Sequence, residues 1–386
     1  MKKQSTRVAI LGSTGSIGRN VLEVIRAIDQ PICVVGLSAH RSFKELVEQA
    51  RQWQPRWIVA TDESESANYH WPKLDPTRVE FGHDRLTELV TDPEIDLVIA
   101  AMVGSAGLSS TLAALHAGNN VALANKETLV AAGPLMLSAA KASGAKLLPV
   151  DSEHSAVFQA IQCGAPSEVA RVILTASGGP FRNHSLQELA HVTAEQALVH
   201  PTWDMGRKIS VDSATMMNKA LEIIEARWLF DLRPEQIEVV IHPQSIVHSM
   251  VEFRDGSILA QMSPPDMRLP IQYSLTYPHR IEGPSPKLDF RQAMELQFFP
   301  PDPDRFPAIE LGLDVARAGG SCGVVVNAAN EAAVAAFLSG ELTYLEIVPA
   351  CRDVMRHHDF DPQPTLDELL RLDRWARQET HRWIFA

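Results

Sequence analysis

Two acids flanking one serine, Asp151-Ser152-Glu153, follow an apolar run that ends at Val150. In an extended segment, residues two apart point the same way, so these carboxylates can converge. Carboxylates held together repel unless one is protonated or a cation neutralises them. A third acid is Glu222, in the helically periodic segment Ser213 to Phe230, where Thr215, Asn218, Lys219 and Glu222 share a face through i+3 and i+4 steps. Asp151, Glu153 and Glu222 would form an all-oxygen set suited to Mg²⁺ or Mn²⁺, with water and substrate completing an octahedron. Spacing alone equally admits a helix N-cap acid and two solvated ones.

The acids have anion-binding neighbours. Thr175-Ala176-Ser177-Gly178-Gly179-Pro180 reads as a strand ending in a turn that offers a hydroxyl and backbone N–H groups. Ser213, Asn218 and Lys219 add donors; the bland alternatives are a helix cap and a surface charge. Between them, His200-Pro201-Thr202-Trp203-Asp204-Met205-Gly206-Arg207-Lys208 lacks any regular period and reads as a loop, a flap over 198–208 that could close on a ligand with Trp203 and His200. Asn125-Lys126-Glu127 follows another apolar run, and Lys126 could polarise a substrate oxygen. His242 and His248 read as polar positions on strands, not as zinc ligands.

Near the N-terminus, Gly12-Ser13-Thr14-Gly15-Ser16-Ile17-Gly18 follows the first apolar run and opens a helix pattern. Such glycines permit a tight turn, pyrophosphate approach to the backbone, and close helix–strand packing, while the helix N-terminus favours phosphate. The spacing is GxxGxxG rather than GxGxxG, and a ligand-free glycine turn is the alternative. After the second run, Ala39-His40-Arg41-Ser42 has no acid for a ribose 2′-hydroxyl but has an arginine suited to a 2′-phosphate, which favours NADPH over NADH.

These segments must be positioned by a larger framework. Continuously apolar runs at Arg7–Leu11, Ile32–Leu37, Trp57–Ala60, Leu97–Met102, Val121–Ala124 and Lys146–Val150 alternate with helix patterns and read as an α/β, Rossmann-like, doubly wound parallel sheet over 1–150. Strand patterns at 171–175, 238–241, 246–253 and 257–262, with little helix between the last three, read as an α+β catalytic domain over 151–277 with a partly antiparallel sheet. A Pro-rich stretch over 278–307 reads as a linker, and 308–386 as a C-terminal helical bundle.

The bulk numbers agree. The 386 residues are 45% hydrophobic and 21% charged, enough for two or three ordinary domains. The longest uninterrupted apolar stretches, such as Leu97–Val103, fall well short of the ~18 residues of a membrane span. Met1-Lys2-Lys3 is followed by too short an apolar run for a secretory leader. Cys33, Cys163, Cys322 and Cys351 lie far apart and read as buried reduced thiols, so the expected location is the cytoplasm. A net charge of −12 disfavours nucleic acid and anionic membranes as partners, and makes a local donor cluster a requirement for any anionic substrate.

The chain resembles the 1-deoxy-D-xylulose 5-phosphate reductoisomerase family, through GSTGSIG at 12–18, NKE at 125–127, LLPVDSEH at 147–154, TASGGPF at 175–181, HPTWDMGRKISVDSATMMNKALE at 200–222, IHPQSIVHSMV at 241–251 and NAANE at 327–331. The resemblance implies metal-dependent rearrangement and NADPH reduction of 1-deoxy-D-xylulose 5-phosphate to 2-C-methyl-D-erythritol 4-phosphate, in isoprenoid biosynthesis. It implies that Thr14, Gly15, Ser16 and Ile17 hold the cofactor pyrophosphate, with Asn125, Glu127 and Gly206 also touching NADPH. It implies that Asp151, Glu153 and Glu222 bind the metal (Mg²⁺ or Mn²⁺, with Co²⁺ as an alternative) and that Ser177, His200, Ser213, Asn218 and Lys219 hold the substrate, chiefly its phosphate. Ser152 and Lys126 would face the reacting end, Trp203 would sit on the flap, and the chain would form a homodimer. His40-Arg41-Ser42 stands where the family commonly has a Gly-Lys-Asn type of run; a basic residue is kept. The enzyme alternative is a plain NADP-dependent dehydrogenase of the semialdehyde or homoserine type, and the non-enzyme one an NADP-sensing regulator. Neither requires the three acids.

Overall fold

The computed structural model describes residues 5–203 and 205–385. The chain divides into two compact units: the first holds residues up to Thr128, Pro134–Ser152 and Asp266–Ser285; the second holds Leu129–Gly133, Glu153–Pro265 and residues from Pro286 on.

Seven strands form the sheet of the first unit: β1 (Thr6–Leu11), β2 (Ile32–Ala39), β3 (Trp57–Ala60), β4 (Arg78–Phe81), β5 (Leu97–Ala100), β6 (Asn120–Leu123) and β7 (Leu147–Pro149). All pair in parallel, in the order β4-β3-β2-β1-β5-β6-β7. The order reverses beside β1, and open α/β sheets bind ligands at the carboxyl ends of the strands flanking such a reversal. Helices between the strands bury one apolar stripe; on Ser16–Ala27 the buried positions are Gly18, Val21, Leu22, Val24 and Ile25, the 3–4 spacing of a helix lying on a sheet. The sequence pattern missed β4, an edge strand of four residues with alternating charge and no fully buried position.

The second unit is built on a four-stranded sheet, β8 (Val169–Ala176), β9 (Ile237–Ile241), β10 (Val247–Phe253) and β11 (Ile258–Met262), in the order β11-β10-β8-β9. β8 and β9 are parallel and the other pairs antiparallel, which makes it the mixed sheet expected. Helices Ala308–Ala318, Cys322–Ser339, Ile347–His357 and Leu366–Ile384 complete the unit.

The units depart from the three expected domains. The helix Arg268–Thr276 and the prolines up to Pro284 belong with the first sheet, where Arg268 pairs with Glu23 at 2.6 Å, and the C-terminal helices belong with the second. The Pro-rich stretch therefore does not act as a single linker. Helix Cys322–Ser339 is, among the described residues, long and apolar enough by length and composition to cross a membrane, with a mean hydropathy of 1.4, yet 72% of it is buried. Counting uninterrupted runs overlooked it because Asn327, Asn330 and Glu331 break the run without lowering the average much. The cysteines divide: Cys322 and Cys351 are buried, whereas Cys33 and Cys163 are exposed, contrary to expectation.

Candidate active site

In the first unit the fingerprint turn leaves the carboxyl end of β1. Gly12 has φ +83°, and a Cβ there would lie 2.6 Å from the Ala101 carbonyl oxygen. A Cβ on Gly18 would run into the Gly12 carbonyl and the Ser13 backbone, so the helix Ser16–Ala27 packs against the turn only with glycine. Buried Ser13 donates to Gln49 Oε1 at 2.6 Å, while the Gly12 N–H donates to Ser38 Oγ at 3.1 Å. Gly15 caps the helix without a side-chain bond, and Gly15 and Ser16 are exposed, so the first helical N–H groups face outward. Backbone N–H groups at a helix N-terminus favour an anion. Nothing in its chemistry disagrees with a pyrophosphate.

At the end of β2, His40, Arg41 and Ser42 are all exposed. The sequence offered no acid there. The structure supplies one from the end of β3: Arg41 Nε donates to Asp62 Oδ2 at 2.6 Å, and His40 Nδ1 lies 3.2 Å from Thr61 Oγ1.

Asn125, Lys126 and Glu127 start the helix Lys126–Ser143 rather than forming a loop. The Asn125 side chain caps it by accepting from the Thr128 N–H at 3.3 Å and donates to the Gly104 carbonyl at 2.8 Å. Lys126 forms an ion pair with Asp151, the two side chains being only 7% and 10% exposed. Asp151 lies at a bend, and Ser152 already begins the helix Ser152–Ala160. Glu153 is thus in a first helical turn and not in an extended segment.

The second unit gathers the other acids. The expected continuous helix breaks at Met216, whose φ is +61°, into Arg207–Thr215 and Met217–Leu229. Ser213 and Thr215 therefore lie on one helix and Asn218, Lys219 and Glu222 on the next. Thr215 turns away from the acids and bonds back to the Val211 carbonyl at 3.1 Å. Glu222 is 0% exposed; Lys219 forms an ion pair with it, and Asn218 Nδ2 donates to its Oε1. The same Lys219 Nζ lies 3.5 Å from Glu153 Oε1. A buried carboxylate is tolerated only when it is neutralised and hydrogen-bonded. Two carboxylates converging on one ammonium, in an all-oxygen donor set, fit a hard divalent cation.

Behind them lies a pair that the sequence did not single out. His154 is fully buried; its Nε2 donates to the Glu222 main-chain carbonyl at 3.0 Å and its Nδ1 lies 3.2 Å from Glu225 Oε2. It fastens the helix of Glu153 to that of Glu222. The DSEH run contained this histidine, but only a contact 68 residues away gives it a role.

Of the residues expected to hold phosphate, Ser177, His200 and Ser213 lie around the turn after β8. Gly178 and Gly179 have φ +82° and +65°, and a Cβ on Gly179 would sit 2.6 Å from the Ser213 carbonyl oxygen. The turn thereby abuts the helix end that carries Ser213. Ser177 Oγ lies 3.0 Å from His200 Nε2. His200 Nδ1 accepts from the Thr202 N–H at 3.1 Å and the Trp203 N–H at 2.9 Å. With Nδ1 accepting, the proton of a neutral ring sits on Nε2, which donates to the Ser177 hydroxyl. Burial pushes the His200 imidazole down to about 4, so it stays neutral near pH 7. The flap is shorter than expected, since the helix starts at Arg207 with Gly206 as its cap. Trp203 stands 6.3 Å from the ring of His248, and Asp204 lies outside the described residues. His248 is on β10 as expected, whereas His242 follows β9; it donates from Nδ1 to the Gln297 carbonyl at 2.8 Å and accepts at Nε2 from the Ile246 and Val247 N–H groups. His248 Nε2 lies 3.2 Å from the Ser263 carbonyl oxygen.

Comparison with known proteins points the same way. Models of 1-deoxy-D-xylulose 5-phosphate reductoisomerase match residues 8–133, and models of its C-terminal domains match 147–230 and 262–379. The chain is 51% identical to a protein of that name from Heliobacterium modesticaldum, over 96% of both chains. It is 47% identical to the one from Rhodopirellula baltica, over 96% of this chain and 93% of that protein. Among solved structures it is similar to the Zymomonas mobilis reductoisomerase in complex with NADPH, with a TM-score of 0.91 and 42% identity over 99% of both chains. It is also similar to a reductoisomerase in complex with NADPH, fosmidomycin and magnesium, with a TM-score of 0.92 and 40% identity over 98% of both. Near-complete coverage at this identity leaves one conclusion: the chain belongs to the 1-deoxy-D-xylulose 5-phosphate reductoisomerase family.

Proposed function

We propose that the chain rearranges and reduces 1-deoxy-D-xylulose 5-phosphate to 2-C-methyl-D-erythritol 4-phosphate, using NADPH and a divalent metal. One observation carries the reading: Glu222, wholly inside the protein, shares Lys219 with Glu153, beside segments that build an anion pocket. A plain NADP dehydrogenase needs none of this, and the Cys163 of a semialdehyde-type alternative is exposed in a segment, Ile161-Gln162-Cys163-Gly164, that carries no basic side chain.

Asp151, Glu153 and Glu222 would hold the metal, Mg²⁺ or Mn²⁺. When bound, the metal supplies Lewis acidity and a template for the substrate's oxygens, and NADPH supplies hydride. The chain's own groups do the rest. Lys126, paired with Asp151, is held at the reacting end together with Ser152. Ser177, His200, Ser213, Asn218 and Lys219 take the phosphate, His200 as a neutral Nε2–H donor that adds no charge to compete with the metal site. Because the Thr202 and Trp203 N–H groups rest on the other nitrogen of that ring, phosphate binding and flap position are joined through one imidazole. Binding energy from the remote phosphate can then hold the reacting end and exclude water. Thr14, Gly15, Ser16 and Ile17 would take the pyrophosphate, His40, Arg41 and Ser42 the 2′-phosphate, and Asn125, Glu127 and Gly206 further parts of the cofactor. We further propose a cytoplasmic homodimer with no nucleic-acid or membrane partner.

The test is NADPH oxidation by the full chain with 1-deoxy-D-xylulose 5-phosphate, followed after chelation and after adding back Mg²⁺ or Mn²⁺. Turnover that is lost on chelation and restored by either ion supports the reading; turnover indifferent to the cation removes it.

A further inference from the structure

The reading of NADPH as cofactor rests on Arg41, and Arg41 is an unpromising residue on its own. Its side chain is 66% exposed, and a long exposed side chain loses much rotamer entropy when it closes on a ligand. We propose that Asp62 is a positioning residue that sets the preference for the 2′-phosphorylated cofactor by fixing the Arg41 guanidinium in place. The inference deepens the functional reading above and depends on it.

Asp62 is itself anchored. Its side chain is 8% exposed, and its Oδ1 accepts from Ser64 Oγ at 2.8 Å and from the Glu65 N–H at 3.2 Å as the cap of the short helix Glu63–Ser66. Its Oδ2 takes Arg41 Nε at 2.6 Å. The Arg41 hydrogen bond, first among the causes, holds the carboxyl well below the usual carboxylate range, so the pair stays ionised at any physiological pH. Arg41 gives Nε to this bond, and its guanidinium has terminal nitrogens in the fork geometry that grips phosphate bidentately. The helix Phe43–Trp53 begins beside them, with Ser42 as a cap that makes no side-chain hydrogen bond. A 2′-phosphate would meet a fixed guanidinium and a hydroxyl at a helix start.

The same geometry explains why an acid near this site does not select NADH. A ribose 2′-hydroxyl needs a carboxylate oxygen that can accept. Asp62 Oδ1 already accepts from Ser64 Oγ and the Glu65 N–H, and Oδ2 faces the Arg41 guanidinium, so the carboxylate is committed to a cation rather than presented to a hydroxyl. The sequence hid this because Asp62 lies 21 residues beyond Arg41, just past the end of the next strand.

The experiment is a titration of the full chain with NADPH and with NADH, by nicotinamide fluorescence, for the native chain, Asp62→Asn, Arg41→Gln and the double variant. Asn keeps an acceptor for the Glu65 N–H, so the helix cap and the fold are retained; thermal melting checks this, and Asp62→Ser serves as a second cap-preserving variant. Asp62→Asn is expected to weaken NADPH about three- to fivefold, the scale of an exposed ion pair, and to leave NADH within about twofold. In the Arg41→Gln background it is expected to change neither cofactor further. Equal loss for both cofactors, tighter NADPH binding, or an undiminished effect without Arg41 would overturn the proposal. A native chain with no preference for NADPH would overturn the cofactor reading and this inference with it.

Discussion

The turn after β1 and the turn after β8 use the same local device to opposite ends. Each leaves the carboxyl end of a strand through glycines at positive φ, and each glycine is obliged by a backbone oxygen close by, Ala101 for Gly12 and Ser213 for Gly179. The first turn offers backbone N–H groups on a helix that begins four residues later. The second builds almost nothing from its own backbone; it brings Ser177 to His200 and presses against the helix end of Ser213. A backbone site needs only local sequence. A side-chain site needs its partners delivered by the fold, and some of those partners are buried charges whose removal costs far more than the loss of an exposed group.

That difference orders the expected effects of mutation. The largest belongs to Glu222→Gln, which removes a buried charge and leaves Lys219 without its closest counter-ion. Turnover is expected to fall roughly 10²–10³-fold while NADPH affinity holds. Metal-dependent turnover and cofactor titration on the same sample check it, and equal losses in both would erase the contrast between the two sites. Next, His154→Gln should lower apparent metal affinity roughly 10- to 100-fold, since it loosens the support behind Glu222; a metal titration of activity that overlays the native curve would show the support to be idle. Third, Gly18→Ala should weaken NADPH and cost about 1–3 kcal/mol of stability, because its Cβ would meet backbone that has nowhere to move. Unchanged melting and cofactor binding would mean that the helix can slide off the turn.

The smallest effect is a pH dependence. The His200 imidazole titrates near 4 in the folded chain, against about 6.5 when unfolded. Between those values the unfolded chain takes up a proton that the folded one refuses. This contribution to stability is therefore complete above about pH 6.5, declines as pH falls toward 4, and is flat below that. Denaturant unfolding of the native chain and His200→Gln at several pH values should converge as pH falls through this window. Parallel curves would show the ring to be solvated, which would undo the assignment of a neutral Nε2 donor.

Much of the framework was legible because burial on both faces forces continuous apolar strands. Trp57–Ala60 is read to the residue, and the second sheet's mixture of short strands is clear from the loss of helix between them. What failed did so for identifiable reasons. Periodicity carried straight through Met216, because a methionine at φ +61° looks like any other apolar helix residue in sequence. Asp151 and Glu153 were brought together by the wrong local geometry, since nothing in three letters of sequence tells a strand's last residue from a helix's first turn. The prolines over 278–307 suggested a linker, although the first of them pack with the N-terminal sheet through the helix Arg268–Thr276.

The residues themselves determined which chemistries were on offer: glycines where backbone must approach closely, an arginine without an acid in its own segment, and carboxylates enough for a cation. Pairing was decided only in three dimensions. Arg41 finds Asp62, Lys219 joins its helical neighbour Glu222 to the distant Glu153, and His154 finds Glu225; in each case the distant partner is one that no period records. Local conformational preferences act over a few bonds, whereas a charge can be buried only where a counter-charge is also buried, and that is a property of the whole fold.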